Sequence, residues 1–287
     1  MSWTHLIRFN HKGSPTFAQL VNPKENGDLD DKIKAEIVTG NPVKRNIEFT
    51  GETVTVDKKD LLPPAADVPI VVQTGLNYND HVKEATEVGY QNLPPPRPYL
   101  FWRPPTCLAG PYAKINVHPV QQDSLDYEGE LIILVGYEPF KDVTVEEAGK
   151  QIIGYSVGND VSPRPGPKLG AMNYIWSKGF DEFTPIGPVL VNAEVLGVPP
   201  AIELKTIVDG KVVQQDNTKN MTFNVAEVVA AMATGTTVQP GTVVFTGTCG
   251  GGQWFTDKGK THGIPDGSLV EVQFEKIGKI SNIAHFL

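Results

Sequence analysis

Cysteine is scarce: Cys107 and Cys249 are the only 2 in 287 residues. They show no metal-type spacing, which excludes a disulfide framework and a cysteine-built zinc site; both thiols read as buried or incidental. Long apolar runs are missing as well. No stretch reaches the roughly 18 residues of a membrane-spanning helix, and the opening MSWTHLIRFN lacks the apolar core of a secretory signal. Basic runs are absent. The 25 Lys and Arg face 33 Asp and Glu, for a net charge of −8, and nothing in the chain is suited to neutralising phosphates. Neither nucleic acid nor membrane is therefore expected as a partner, and the expected location is cytoplasmic. No internal repeat or low-complexity tract is visible.

What is present is an ordinary globular composition, 40% hydrophobic and 20% charged, in a chain long enough for one large core with a small appended domain. Residues 1–66 hold short alternating segments, WTHLIRFN, PTFAQLV, IKAEIV and NIEFTGETVTV, parted by turn residues, which predicts a small antiparallel β-domain. The proline-rich LLPPAADVP reads as a linker. The larger domain, 67–287, follows. It is mostly strand-like, with helices expected near His81, over Val143–Lys150 behind a Thr144 cap and over Asn224–Ala233. Asp209–Gly210 marks a two-residue hairpin turn.

The stretch Leu125–Asp160 organises the rest. It reads LDYEGELIILVG, a helix-like segment, then IIGYSVGND. Glu128 and Glu130 are two residues apart at the end of an apolar run, so strand geometry turns both carboxylates the same way. Asp160 ends the second apolar run and is a third candidate. Such a group on a dry face needs raised pKa values or a hard divalent cation; the alternative is solvated charge on an exposed strand. Asp126 shares their face, as an outer acceptor or a surface residue.

Other candidates lie on either side. His81 and Glu84, at i and i+3, share a helix face; the carboxylate can fix the imidazole tautomer for proton abstraction from water, or the contact can be incidental. Gln91–Pro98, with its prolines, suits a flap. Arg103 ends the aromatic strand YLFWR, as an anion clamp or a surface cation. Arg164 and Lys168 sit in a Pro/Gly loop suited to an anionic substrate, Lys178 is a candidate electrophile, and VVFTGT opens into CGGGQW, where Thr248 suits a carbonyl or carboxylate.

Taken in order, GLNYNDHVKE, YLFWRPP, LDYEGELIILVG, IIGYSVGNDVSPR, WSKGFDEFTPIGP, FTGT and GSLVEVQFEKIG resemble the fumarylacetoacetate hydrolase family over roughly Val71 to Ile280. The resemblance implies an α+β, predominantly β fold, a mixed β-sandwich roll with a small N-terminal β-domain, assembled as a homodimer. It implies that Glu128, Glu130 and Asp160 hold Mg²⁺, with Mn²⁺ or Ca²⁺ as substitutes. It implies a water-activating dyad of His81 and Glu84, a substrate-facing Lys178, and substrate contacts from Arg164, Gly247 and Thr248 beside Arg103. The chain departs from acylpyruvate-cleaving members at Leu76 (arginine there), Arg103 (lysine), Pro167 (glutamine nearby), Cys249 (proline) and Pro165 (aspartate). These departures alter the polar clamps and leave the metal set and dyad intact, which weakens the case for small α-keto acids.

The expected activity is metal-dependent hydrolysis of a carbon–carbon bond in a β-dicarbonyl substrate, such as a keto acid or diketone, through a metal-stabilised enolate. The same fold can instead serve a lyase or isomerase, for example a decarboxylase or a tailoring enzyme on a larger apolar substrate. A non-catalytic, metal-stabilised binding module is the alternative outside enzymology, and an intact His81–Glu84 pair counts against it.

Overall fold

The computed structural model describes residues 2–165, 174–260 and 263–287. Pro167 and Lys168 lie outside the described residues. Four antiparallel strands open the chain: β1 (His5–His11), β2 (Ser14–Leu20), β3 (Lys32–Thr39) and β4 (Glu48–Asp57). They match the four alternating segments, and β1 pairs with a distant strand, His5 opposite Val191, so this unit extends the main sheet.

The remaining strands are β5 (Val71–Gly75), β6 (Tyr99–Arg103), β7 (Leu108–Ala109), β8 (Ile115–Val117), β9 (Leu125–Asp126), β10 (Gly129–Val135) and β11 (Ile152–Asn159). They continue with β12 (Ser162–Pro163), β13 (Thr184–Asn192), β14 (Glu203–Val208), β15 (Lys211–Asn217), β16 (Val243–Thr248), β17 (Leu269–Phe274) and β18 (Gly278–Phe286). Helices are short: α1 (Asn79–Glu87), α2 (Val145–Gly149), α3 (Tyr174–Ser177), α4 (Ala193–Leu196), α5 (Val225–Ala233) and α6 (Gln253–Thr256). An 11-stranded mixed sheet runs β4-β3-β2-β1-β13-β11-β10-β16-β5-β6, with β7 attached to β13, and a 5-stranded sheet runs β15-β14-β17-β18-β8. The architecture is α+β and predominantly β, as the sequence predicts.

Every residue of β10 is buried, because both faces of the large sheet are covered. Leu131, Ile133 and Val135 pack in one core with Leu204, Val272 and Phe274 of the smaller sheet and Val228 of α5. Ile132 and Leu134 pack in another with Leu6, Phe17, Ile153 and Phe245. Full burial of such aliphatic side chains contributes about 1.5–3 kcal/mol each, so β10 and its neighbours make a rigid floor. The Thr144 cap acts as read, in a capping box with Glu147, and Asn224 forms another with Glu227. Asp209 and Gly210 take φ of 48° and 81°, the left-handed pair of a type I′ turn. At α1 the cap is Tyr78, without a side-chain bond.

Candidate active site

Antiparallel pairing of β10 with β11 sets Gly129 opposite Asn159 and Glu130 opposite Gly158. Just beyond this register the Asp160 amide donates to the Glu128 carbonyl at 2.8 Å, and the Glu128 amide donates to Asn159 Oδ1 at 3.1 Å. Asp160 thereby comes beside the two glutamates. One carboxylate oxygen from each of Glu128, Glu130 and Asp160 lies within 4.8 Å of the others, with residue exposures of 5%, 1% and 0%. A buried, all-oxygen donor set of this size fits a hard divalent cation such as Mg²⁺, Mn²⁺ or Ca²⁺.

The protein's own cations crowd the same acids. Lys178 Nζ donates to Glu128 Oε2 at 2.8 Å and, more closely still, to Asp160 Oδ2. Arg164 reaches Glu128 Oε1 at 2.7 Å and Asp126 Oδ2 at 3.0 Å. Arg103 lies behind Asp160 at 2.7 Å. The carboxyl groups Asp126, Glu128, Glu130 and Asp160 outnumber Arg103, Arg164 and Lys178 by one. Burial, reinforced by the charges of Asp160 and Glu128, pushes the Glu130 carboxyl well above its ordinary value. For Glu128, burial opposes ionisation, yet the neighbouring Lys178 and Arg164 charges outweigh it and hold the carboxyl well below the usual range. Burial likewise opposes charge on Lys178, but Asp160 and Glu128 overcome it and raise the amine above its ordinary value.

A buried amide ties the back of the cluster together. Gln73 donates to Glu130 Oε1 at 2.5 Å and accepts from Arg103 Nη2 at 2.8 Å. The Gly247 amide donates to the other Glu130 oxygen at 2.6 Å, and Gly247, at φ 92°, packs so closely on Asn77 that a Cβ would lie 2.7 Å from it. Only glycine serves there.

His81 Nδ1 stands 3.3 Å from Glu84 Oε2, and the Gly251 amide donates to Glu84 Oε1 at 2.8 Å. The glycines of CGGGQW thus bring an amide to the dyad's carboxylate. His81 packs edge-on against Phe255, with centroids 4.6 Å apart. A cavity of about 260 Å³ brings His81, Glu128, Arg164, Lys178 and Thr248 onto one wall. His81 and Glu128 therefore line one chamber, although they come from different segments.

Arg103 and Gly247, expected to grip substrate, are turned instead to the carboxylates: the Arg103 side chain is wholly buried and bonds Asp160, Thr184 and Gln73. Thr248 lines the cavity, but its hydroxyl donates to the Gly129 carbonyl at 3.0 Å and accepts from Gln214 at 2.8 Å. Asp126 is no surface residue. It accepts from Arg164 and from the amides of Gln253 and Trp254. Gln73 and Phe255 were not singled out from sequence; an amide side chain inside the strand VVQTG is the signal that marks Gln73.

A two-sheet roll whose central strands converge on buried acids, beside a histidine–glutamate pair, defines a family of enzymes. Residues 70–283 match the family described as Fumarylacetoacetate (FAA) hydrolase C-terminal, and the chain belongs to the fumarylacetoacetate hydrolase family. It is 33% identical over 219 residues to a 2,4-didehydro-3-deoxy-L-rhamnonate hydrolase of Sphingomonas sp. (strain SKA58), covering 75% of this chain and 73% of that one. It is 31% identical over 224 residues to a mitochondrial oxaloacetate tautomerase of Xenopus laevis, covering 77% and 67%. In structure it resembles 5-carboxymethyl-2-hydroxymuconate delta-isomerase from Mycobacterium smegmatis, with a TM-score of 0.78 at 28% identity over 99% of this chain and 100% of that one.

Proposed function

We propose that the protein hydrolyses a carbon–carbon bond in a β-dicarbonyl 2-oxo acid. The observation that carries this reading is the presence of His81, backed by Glu84, on the wall of the cavity that also contains Glu128 and Lys178. Glu128, Glu130 and Asp160 would hold Mg²⁺, or Mn²⁺ or Ca²⁺ in its place, which when bound supplies Lewis-acid polarisation of the substrate oxygens and charge opposite a developing enolate.

The protein's own groups do the rest. Glu84 on Nδ1 keeps the imidazole proton on that side, leaving Nε2 to take a proton from water as the oxygen attacks a carbonyl carbon. When the carbon–carbon bond breaks, its electron pair enters the adjoining carbonyl as an enolate. His81 then returns the proton to carbon, giving an acid and a 2-oxo acid. The Lys178 ammonium, fixed by two carboxylates, is a preorganised cation facing that charge.

The test is Mg²⁺-dependent loss of β-dicarbonyl absorbance across acylpyruvates and diketones in ¹⁸O-water, with products weighed by mass spectrometry. Hydrolysis puts one ¹⁸O in the new acid. A second reading, supported by the relatives named as a tautomerase and an isomerase, uses His81 only to move a proton between carbon and oxygen. Conserved product mass would favour it, and CO₂ release would favour a decarboxylase.

A further inference from the structure

The walls of the cavity change character with depth. Its ionisable lining residues, Glu128, Arg164, Lys178 and His81, are each 5% exposed or less. The half-buried and exposed lining nearer the mouth comprises Leu76, Tyr90, Leu93, Pro95 and Tyr99, with the neutral amides Gln91 and Asn92. Among the described residues no formal charge lines that outer part. Phe101 and Phe255 make the transition: Lys178 Nζ is 5.8 Å from the Phe101 ring centroid, and the Arg164 guanidinium is 5.1 Å from that of Phe255. Both cations are already paired with carboxylates.

We infer that the substrate carries one anionic 2-oxo acid end, held at the deep wall, and one neutral apolar arm, alkyl or aryl, lying against Leu76, Leu93, Pro95 and Tyr99. This deepens the reaction reading above and rests on it for the assignment of the deep end. A second carboxylate on the outer arm would lose hydration and meet no cation among the described lining residues, whereas an alkyl or aryl group gains by leaving water. Selectivity therefore runs toward acylpyruvate-like compounds with bulky apolar acyl groups and against dicarboxylates.

Calorimetric titration of the Mg²⁺-supplemented protein with pyruvate, phenylpyruvate and 2-oxoglutarate tests the arm without requiring turnover. Phenylpyruvate is expected to bind about tenfold or more tighter than 2-oxoglutarate; equal affinity, or a preference for 2-oxoglutarate, would overturn the inference. Leu76→Ala and Leu93→Ala should each weaken phenylpyruvate several-fold and leave pyruvate unchanged. Loss of neither preference in any folded variant would also overturn it. Failure of the reaction reading looks different: phenylpyruvate still wins the titration, but no β-dicarbonyl compound is consumed.

Discussion

Arg103 and Asp160 form an ion pair 2.7 Å apart with both side chains wholly excluded from solvent. Because Asp160 is also one of the clustered acids, the arginine supports the fold and the site together. Breaking a buried pair by removing one partner leaves an uncompensated charge and costs roughly 3–5 kcal/mol. Arg103→Ala is therefore expected to lower unfolding free energy by that order in urea titrations. Arg103→Lys should recover part of it, since one amine cannot reach both Asp160 and Gln73.

Gln73 joins Glu130 to Arg103, and Gln73→Leu strands a donor and an acceptor in the interior at a cost of about 1–3 kcal/mol. It also frees the Glu130 carboxylate to rotate. Mg²⁺ affinity is expected to fall about 10- to 100-fold, read by calorimetry on the folded variant, with Gln73→Glu failing to restore it.

Glu128→Ala should abolish both divalent-metal binding and turnover. His81→Ala should leave metal affinity intact and cut turnover by about 10²–10⁴, and Glu84→Gln should cut it less. Full activity in a metal-free Glu128→Ala protein would defeat the assignment of the triad.

Proton uptake by Glu130 makes metal binding depend on pH. Burial, with Asp160 and Glu128 nearby, raises this carboxyl in the metal-free protein, so its contribution to stability is complete below the ordinary glutamate pKa and is lost as pH climbs through the folded value. The melting temperature of chelator-treated protein should fall over that rise, while Mg²⁺-saturated protein should hold steady. Binding should release a proton, visible as heat that varies with buffer ionisation enthalpy, and affinity should increase with pH. A pH-independent affinity would show that Glu130 is already ionised.

Much of this was legible in the sequence, because it rests on local periodicity. The spacing of Glu128 and Glu130, the i, i+3 pair His81 and Glu84, and the Asp209–Gly210 turn each follow from geometry spanning a few residues. What was hidden depends on distant pairing. Nothing near Arg103 shows that Asp160, 57 positions away, will meet it, and so a fixed internal cation reads as a substrate clamp. Gly247 and Thr248 likewise direct polar groups to β10, a strand far away in sequence. Nor does sequence count charges in space. Three acids invite a metal, while the folded chain brings its own cations to the same acids.

The depth gradient of the cavity separates two kinds of inheritance. The deep wall rests on β10 and β11, every residue of which is buried. The mouth is furnished largely by the irregular connection between α1 and β6, residues 88–98, whose side chains are half-buried or exposed. Exchanging that connection should therefore change which outer arm is accepted while leaving the packing of the buried acids as it is.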